Sequence, residues 1–75
     1  MDKAAAVEAL QIDVGRSLRA LQTDRKVRNA DLQRAFKVAA PEVSRWRTMK
    51  DARLSLVKMW ANYFGVTIDQ FITYQ

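Results

Sequence analysis

The chain has 75 residues, a formal net charge of +5 and a pI near 10.1, and it contains neither cysteine nor histidine. That composition excludes disulfides and thiolate metal sites and removes the commonest general base and metal ligand, so neither an enzyme nor a bound cofactor is expected. The length suits one small domain, and 49% hydrophobic residues argue for a packed fold over disorder.

Val7, Leu10, Val14, Leu18 and Leu21 fall on one helical face. They predict a first helix from about Ala4 to Asp24, capped by Asp2 and bent at a weak point near Asp13–Gly15. The alternative is a helix that starts at Val14 with Asp13 as its cap. A second helix opens at Arg28 or Asn29, with Asp31 in its first turn and Leu32, Ala35 and Phe36 facing inward, and ends near Lys37. Pro41 marks the start of a third, about Ala40 to Thr48, carrying Val43 and Trp46. Leu56, Val57, Trp60, Ala61 and Phe64 define a fourth from about Ser55 to Tyr63, followed by Gly65. Thr67 caps a short fifth helix with Ile68, Phe71 and Ile72 inward. Strand signals are nearly missing, so the expected fold is all-α: a compact bundle of about five helices, with residues 1–13 as a helical extension of a domain over 14–75.

Charge is uneven. Residues 16–58 carry net +8, against −2 over 1–15 and −1 over 59–75. A basic centre is the footprint of a polyanion-binding surface, with a merely solvated basic face as the alternative. No run of apolar residues is long enough to span a membrane, and the N-terminal apolar stretch is too short and too weakly basic for a secretory signal. A cytoplasmic location is therefore expected.

Two short helices joined by a tight turn, the second one basic, are the parts of a helix-turn-helix. With Leu32, Val38, Val43, Trp46, Leu56, Ala61 and the strings Val43-Ser44-Arg45-Trp46 and Tyr63-Phe64-Gly65-Val66-Thr67-Ile68-Asp69-Gln70-Phe71 in this order, residues 14–72 resemble the helix-turn-helix domain of lambdoid phage repressors and Cro proteins. The chain departs from that pattern at Asn29 (usually Gln), Gln33 (usually Ala), Lys37 (usually Gly) and Met49 (often Gly). Lys37 must adopt a strained backbone or bend the turn differently. Gln22 and Arg47 stand where the family often pairs an arginine with a glutamate. Gln22 either hydrogen-bonds near Arg47 or leaves Arg47 to grip phosphate.

The resemblance implies roles for particular residues. Ala40, Pro41, Ser44 and Arg45 would face base edges, Arg45 donating to guanine O6 and N7. Arg28, Asn29, Arg47, Thr48, Lys50 and Arg53 would hold phosphates. Glu42 reads as a surface or helix-dipole residue, and Trp46 and Trp60 as core residues in preference to stacking platforms. Val66, Ile68, Phe71, Ile72 and Tyr74 are too many apolar residues to bury in so small a domain, and predict a homodimer interface centred on Phe71 or Tyr74. The function implied is a small sequence-specific repressor acting as a dimer on double-stranded operator DNA, with no small-molecule ligand. The alternatives are an antitoxin-type autoregulator and a helix-turn-helix used to bind protein.

Overall fold

The computed structural model describes residues 12–74. The expected cap at Asp2 and the apolar positions Val7 and Leu10 lie outside them. The described residues form five helices and no strand: α1 Val14–Arg25, α2 Asn29–Phe36, α3 Ala40–Trp46, α4 Leu54–Phe64 and α5 Ile68–Ile72.

The first helix does not run through from Ala4, because Ile12 and Asp13 are not helical. Asp13 caps α1: its Oδ1 accepts the Arg16 N–H at 3.0 Å, so the short carboxylate takes up a backbone donor that a through-going helix would have used. Nor is Gly15 a weak point. Its N–H donates to the Met49 carbonyl at 2.7 Å, and the Val14 N–H donates to the Lys50 carbonyl at 3.2 Å. The start of α1 is thereby fastened to the loop that follows α3.

α1 and α2 both end on a lysine in the left-handed region, Lys26 and Lys37, each at φ 55°. Lys37 thus takes the strained backbone and does not bend the turn another way. A left-handed residue with a Cβ costs about 1–2 kcal/mol relative to glycine. Lys37→Gly should therefore raise stability by about 1 kcal/mol and the melting temperature by about 4–8 °C. An unchanged melting temperature would show that the turn carries no strain.

Pro41 lies in the first turn of α3, and Gly65 ends α4 at φ 71°. The Thr67 hydroxyl accepts the Gln70 N–H at 3.0 Å while the Gln70 side chain accepts the Thr67 N–H at 2.9 Å, a reciprocal cap for α5. α3 stops at Trp46, two residues short of Thr48, whose hydroxyl donates to the Arg45 carbonyl at 3.0 Å.

Every helix contributes to one core: Val14, Leu18 and Leu21 from α1, Leu32 from α2, Val43 and Trp46 from α3, Val57, Trp60, Ala61 and Phe64 from α4, and Phe71 from α5. Ala35, expected inside, is exposed, whereas Leu32 is buried and Phe36 half-buried. An aromatic run crosses the core, with ring centroids 5.6 Å apart for Phe36–Trp46, 5.5 Å for Trp46–Trp60 and 5.8 Å for Trp60–Phe71. Both tryptophans are core residues, and neither is exposed as a stacking platform.

Candidate nucleic-acid interface

α2 and α3 pack against each other across a three-residue turn, Lys37 to Ala39. The turn places the start of α3 at the surface. Ala40, Pro41, Ser44 and Arg45 are all exposed, and their spacing puts them on one side of the helix. The Arg45 side chain is 68% accessible and is paired with Glu42, Nη2 to Oε1, at 2.5 Å.

Arg28, Asn29, Thr48, Lys50 and Arg53 are also exposed. Thr48 and Lys50 lie in the loop held on the start of α1, so their backbone is anchored although their side chains face solvent. Lys50 and Arg53 make no ion pair among the described residues, whereas Arg28 lies 3.8 Å from Asp31.

Arg47 is half-buried. Its Nη1 donates to Gln22 Oε1 and, at 3.2 Å, to Asn29 Oδ1. Gln22, itself buried, donates from Nε2 to Asn29 Oδ1 at 3.0 Å and to the Val27 carbonyl at 3.2 Å. The orientation of both amides follows from chemistry. Arg47 only donates and the Val27 carbonyl only accepts, so each amide oxygen must face the guanidinium. Of the two roles open to Arg47, this geometry is that of the structural one: a polar clasp joining α1, the start of α2 and the end of α3. The link to Asn29 has no signal in the sequence. Only the folded chain brings Arg47 to residues 18 and 25 positions earlier.

Asp31 accepts the Arg28 N–H at 2.9 Å and pairs with Arg34 at 2.5 Å. The backbone hydrogen bond from Arg28, followed by the Arg34 side chain, holds its carboxyl below the ordinary value of 3.8. A lowered folded-state value stabilises the fold above pH 3.8, and the contribution is lost as the pH falls through that lowered value. Asp31→Asn should therefore melt below the wild type near neutral pH, and the gap should close as the pH falls through the lowered value. A gap independent of pH would contradict this.

On the fifth helix, the expectation that Phe71 stands near the middle of an interface requires a correction. Phe71 is 0% exposed and offers no surface to a partner. Val66, Ile68, Ile72 and Tyr74 are half-buried and pack on the domain's own core. Tyr74 is tied down further. Its hydroxyl donates to the Asp24 carboxylate, and its carbonyl accepts the Ser17 hydroxyl at 3.3 Å. The Asp24 hydrogen bond raises the Tyr74 phenol above its usual range. Apolar surface is left open at Met59 and Tyr63 on α4 and beside α5, where Leu54 is 66% and Ile12 44% exposed. With Val14, Ala52, Ile68 and Ile72 the latter two line a hollow of about 140 Å³ that includes no residue of α3.

Among the described residues no helix is long and apolar enough to cross a membrane, and no group of acidic side chains is placed to hold a metal ion. The chain matches no protein-family model, no curated protein and no solved structure.

Proposed function

We propose that α2 and α3 act as a helix-turn-helix that inserts α3 into the major groove of double-stranded DNA, and that the chain is a sequence-specific transcription regulator, a repressor by its resemblance to the phage proteins. The observation that carries this reading is the exposed start of α3, with Ala40, Pro41, Ser44 and Arg45 on one side and Lys50 and Arg53 following on the loop. A net charge of +8 over residues 16–58 supplies the non-specific attraction to phosphate. Ser44 and Arg45 are the only polar donors among the four, and arginine on guanine is the commonest specific contact. The function requires no catalytic group. Two-fold pairing belongs to the reading, because one helix reads too few base pairs to single out an operator.

Arg45→Ala should weaken binding to the preferred site by about 1–3 kcal/mol and leave random duplex DNA nearly unaffected. Lys50→Ala and Arg53→Ala should weaken all sequences alike, and each should reduce the log–log salt slope by about one unit, as expected when one phosphate is no longer neutralised. Equal losses on both kinds of DNA for Arg45→Ala would reduce Arg45 to a phosphate-binding charge. Binding only to a second protein, with no affinity for DNA, would favour the protein-binding alternative.

A further inference from the structure

Glu42 lies one turn before both Arg45 and Trp46 on α3. Its Oε1 accepts two hydrogen bonds, from Trp46 Nε1 at 3.0 Å and from Arg45 Nη2 at 2.5 Å. The two donors differ in kind. Trp46 is buried, its ring centroid 5.6 Å from Phe36 and 5.5 Å from Trp60, so the indole N–H is a fixed point of the core. Arg45 is a long, exposed side chain with several rotatable bonds. The carboxylate connects the fixed group to the mobile one.

Building on the DNA reading above, we propose that Glu42 is the positioning residue for Arg45: the run Trp46–Glu42–Arg45 carries the rigidity of the core out to the guanidinium and makes Glu42 a determinant of preference for guanine. An arginine guanidinium has five N–H donors. One is engaged by Glu42, and the four that remain include a complete fork for guanine O6 and N7. An arginine already ordered loses less conformational freedom on binding. A carboxylate on this face also repels phosphate, so it lowers affinity for DNA in general. Sites that require Arg45 to leave Glu42 lose a charge-assisted hydrogen bond as well. The repulsion weakens all sequences alike, whereas the ordering of Arg45 and the lost hydrogen bond act on discrimination, which separates this role from that of an ordinary surface ion pair.

The test is the ratio of affinities for the selected site and for random duplex DNA, measured for the wild type, Glu42→Gln, Arg45→Ala and the double variant. Glutamine keeps a carbonyl for the Trp46 N–H and removes the charge. For Glu42→Gln, affinity for random DNA should rise while the ratio falls about two- to tenfold, the span expected for ordering one long side chain. The same change in the Arg45→Ala background should leave the ratio unaltered. Parallel gains on both DNAs with an unchanged ratio would reduce Glu42 to a repelling charge and overturn the proposal alone. A wild type with no sequence preference would overturn it together with the DNA reading. A measurement that needs no variant reads the same feature. In the free wild type, the Arg45 guanidinium N–H signals should be resolved and slowed by NMR. Signals averaged like those of a solvated arginine would contradict the proposal.

Discussion

Replacing Phe71 by alanine should destabilise the domain by about 3–5 kcal/mol, the usual cost of removing a wholly buried phenylalanine. The ring is 0% exposed and lies 5.8 Å from that of Trp60, at the end of the aromatic run through the core. A chain of 75 residues has about 4–11 kcal/mol of total stability, so much of it would be lost. Urea denaturation followed by tryptophan fluorescence measures the change directly, because Trp60 is the neighbour affected. A loss below about 1 kcal/mol would place Phe71 outside the core. For the same reason an aspartate at this position reports on folding and cannot report on dimerisation.

Gly15→Ala sets two opposed effects against each other. Alanine in a helix interior gains about 1 kcal/mol over glycine. At Gly15, however, a Cβ would lie 2.6 Å from the Arg47 carbonyl oxygen and 2.7 Å from that of Met49. Both obstructing atoms are backbone and cannot rotate away, so the steric cost falls at the upper end for overpacking, about 3 kcal/mol, and outweighs the propensity gain. The substitution should lower stability and also loosen the 47–50 loop, since the Gly15 N–H bond to Met49 depends on the same close approach. Faster exchange of the residue-15 amide, together with the lower denaturation midpoint, is the expected pair of results. A stabilised variant would show that α1 and the loop are not in contact.

How far the sequence can be read depends on whether a signal is local. Pro41, Gly65 and Thr67 act on their immediate neighbours, and the starts of α3 and α5 and the end of α4 fall within one residue of where those signals place them. Asp13 is ambiguous in sequence because the apolar spacing continues in phase from Leu10 to Val14 across it, and periodicity cannot register a cap. Ala35 and Phe36 differ by one step around a helix, and the larger ring takes the inner position. That Phe71 faces inward follows from its helical spacing with Ile68 and Ile72 and is borne out, but that its burial is complete is not legible. A five-residue helix owes its position to distant groups: the Trp60 ring, and the Ser17 and Asp24 side chains that hold Tyr74. Of the candidate site, exposure along α3 follows from spacing, and the pairing of Glu42 with Arg45 and Trp46 lies at helical i+3 and i+4 separation. The clasp of Gln22, Asn29 and Arg47 joins three helices and exists only once they have packed.

We propose that the exposed start of α3 reads DNA sequence. The most direct test of this reading is selection of bound sequences from a pool of random duplex DNA with the wild-type chain, repeated with Arg45→Ala. The expected result is a two-fold symmetric consensus with half-sites about one helical turn apart, roughly 34–36 Å, and a guanine whose preference weakens in the variant. A pool that stays random, or a consensus identical with and without Arg45, would contradict it.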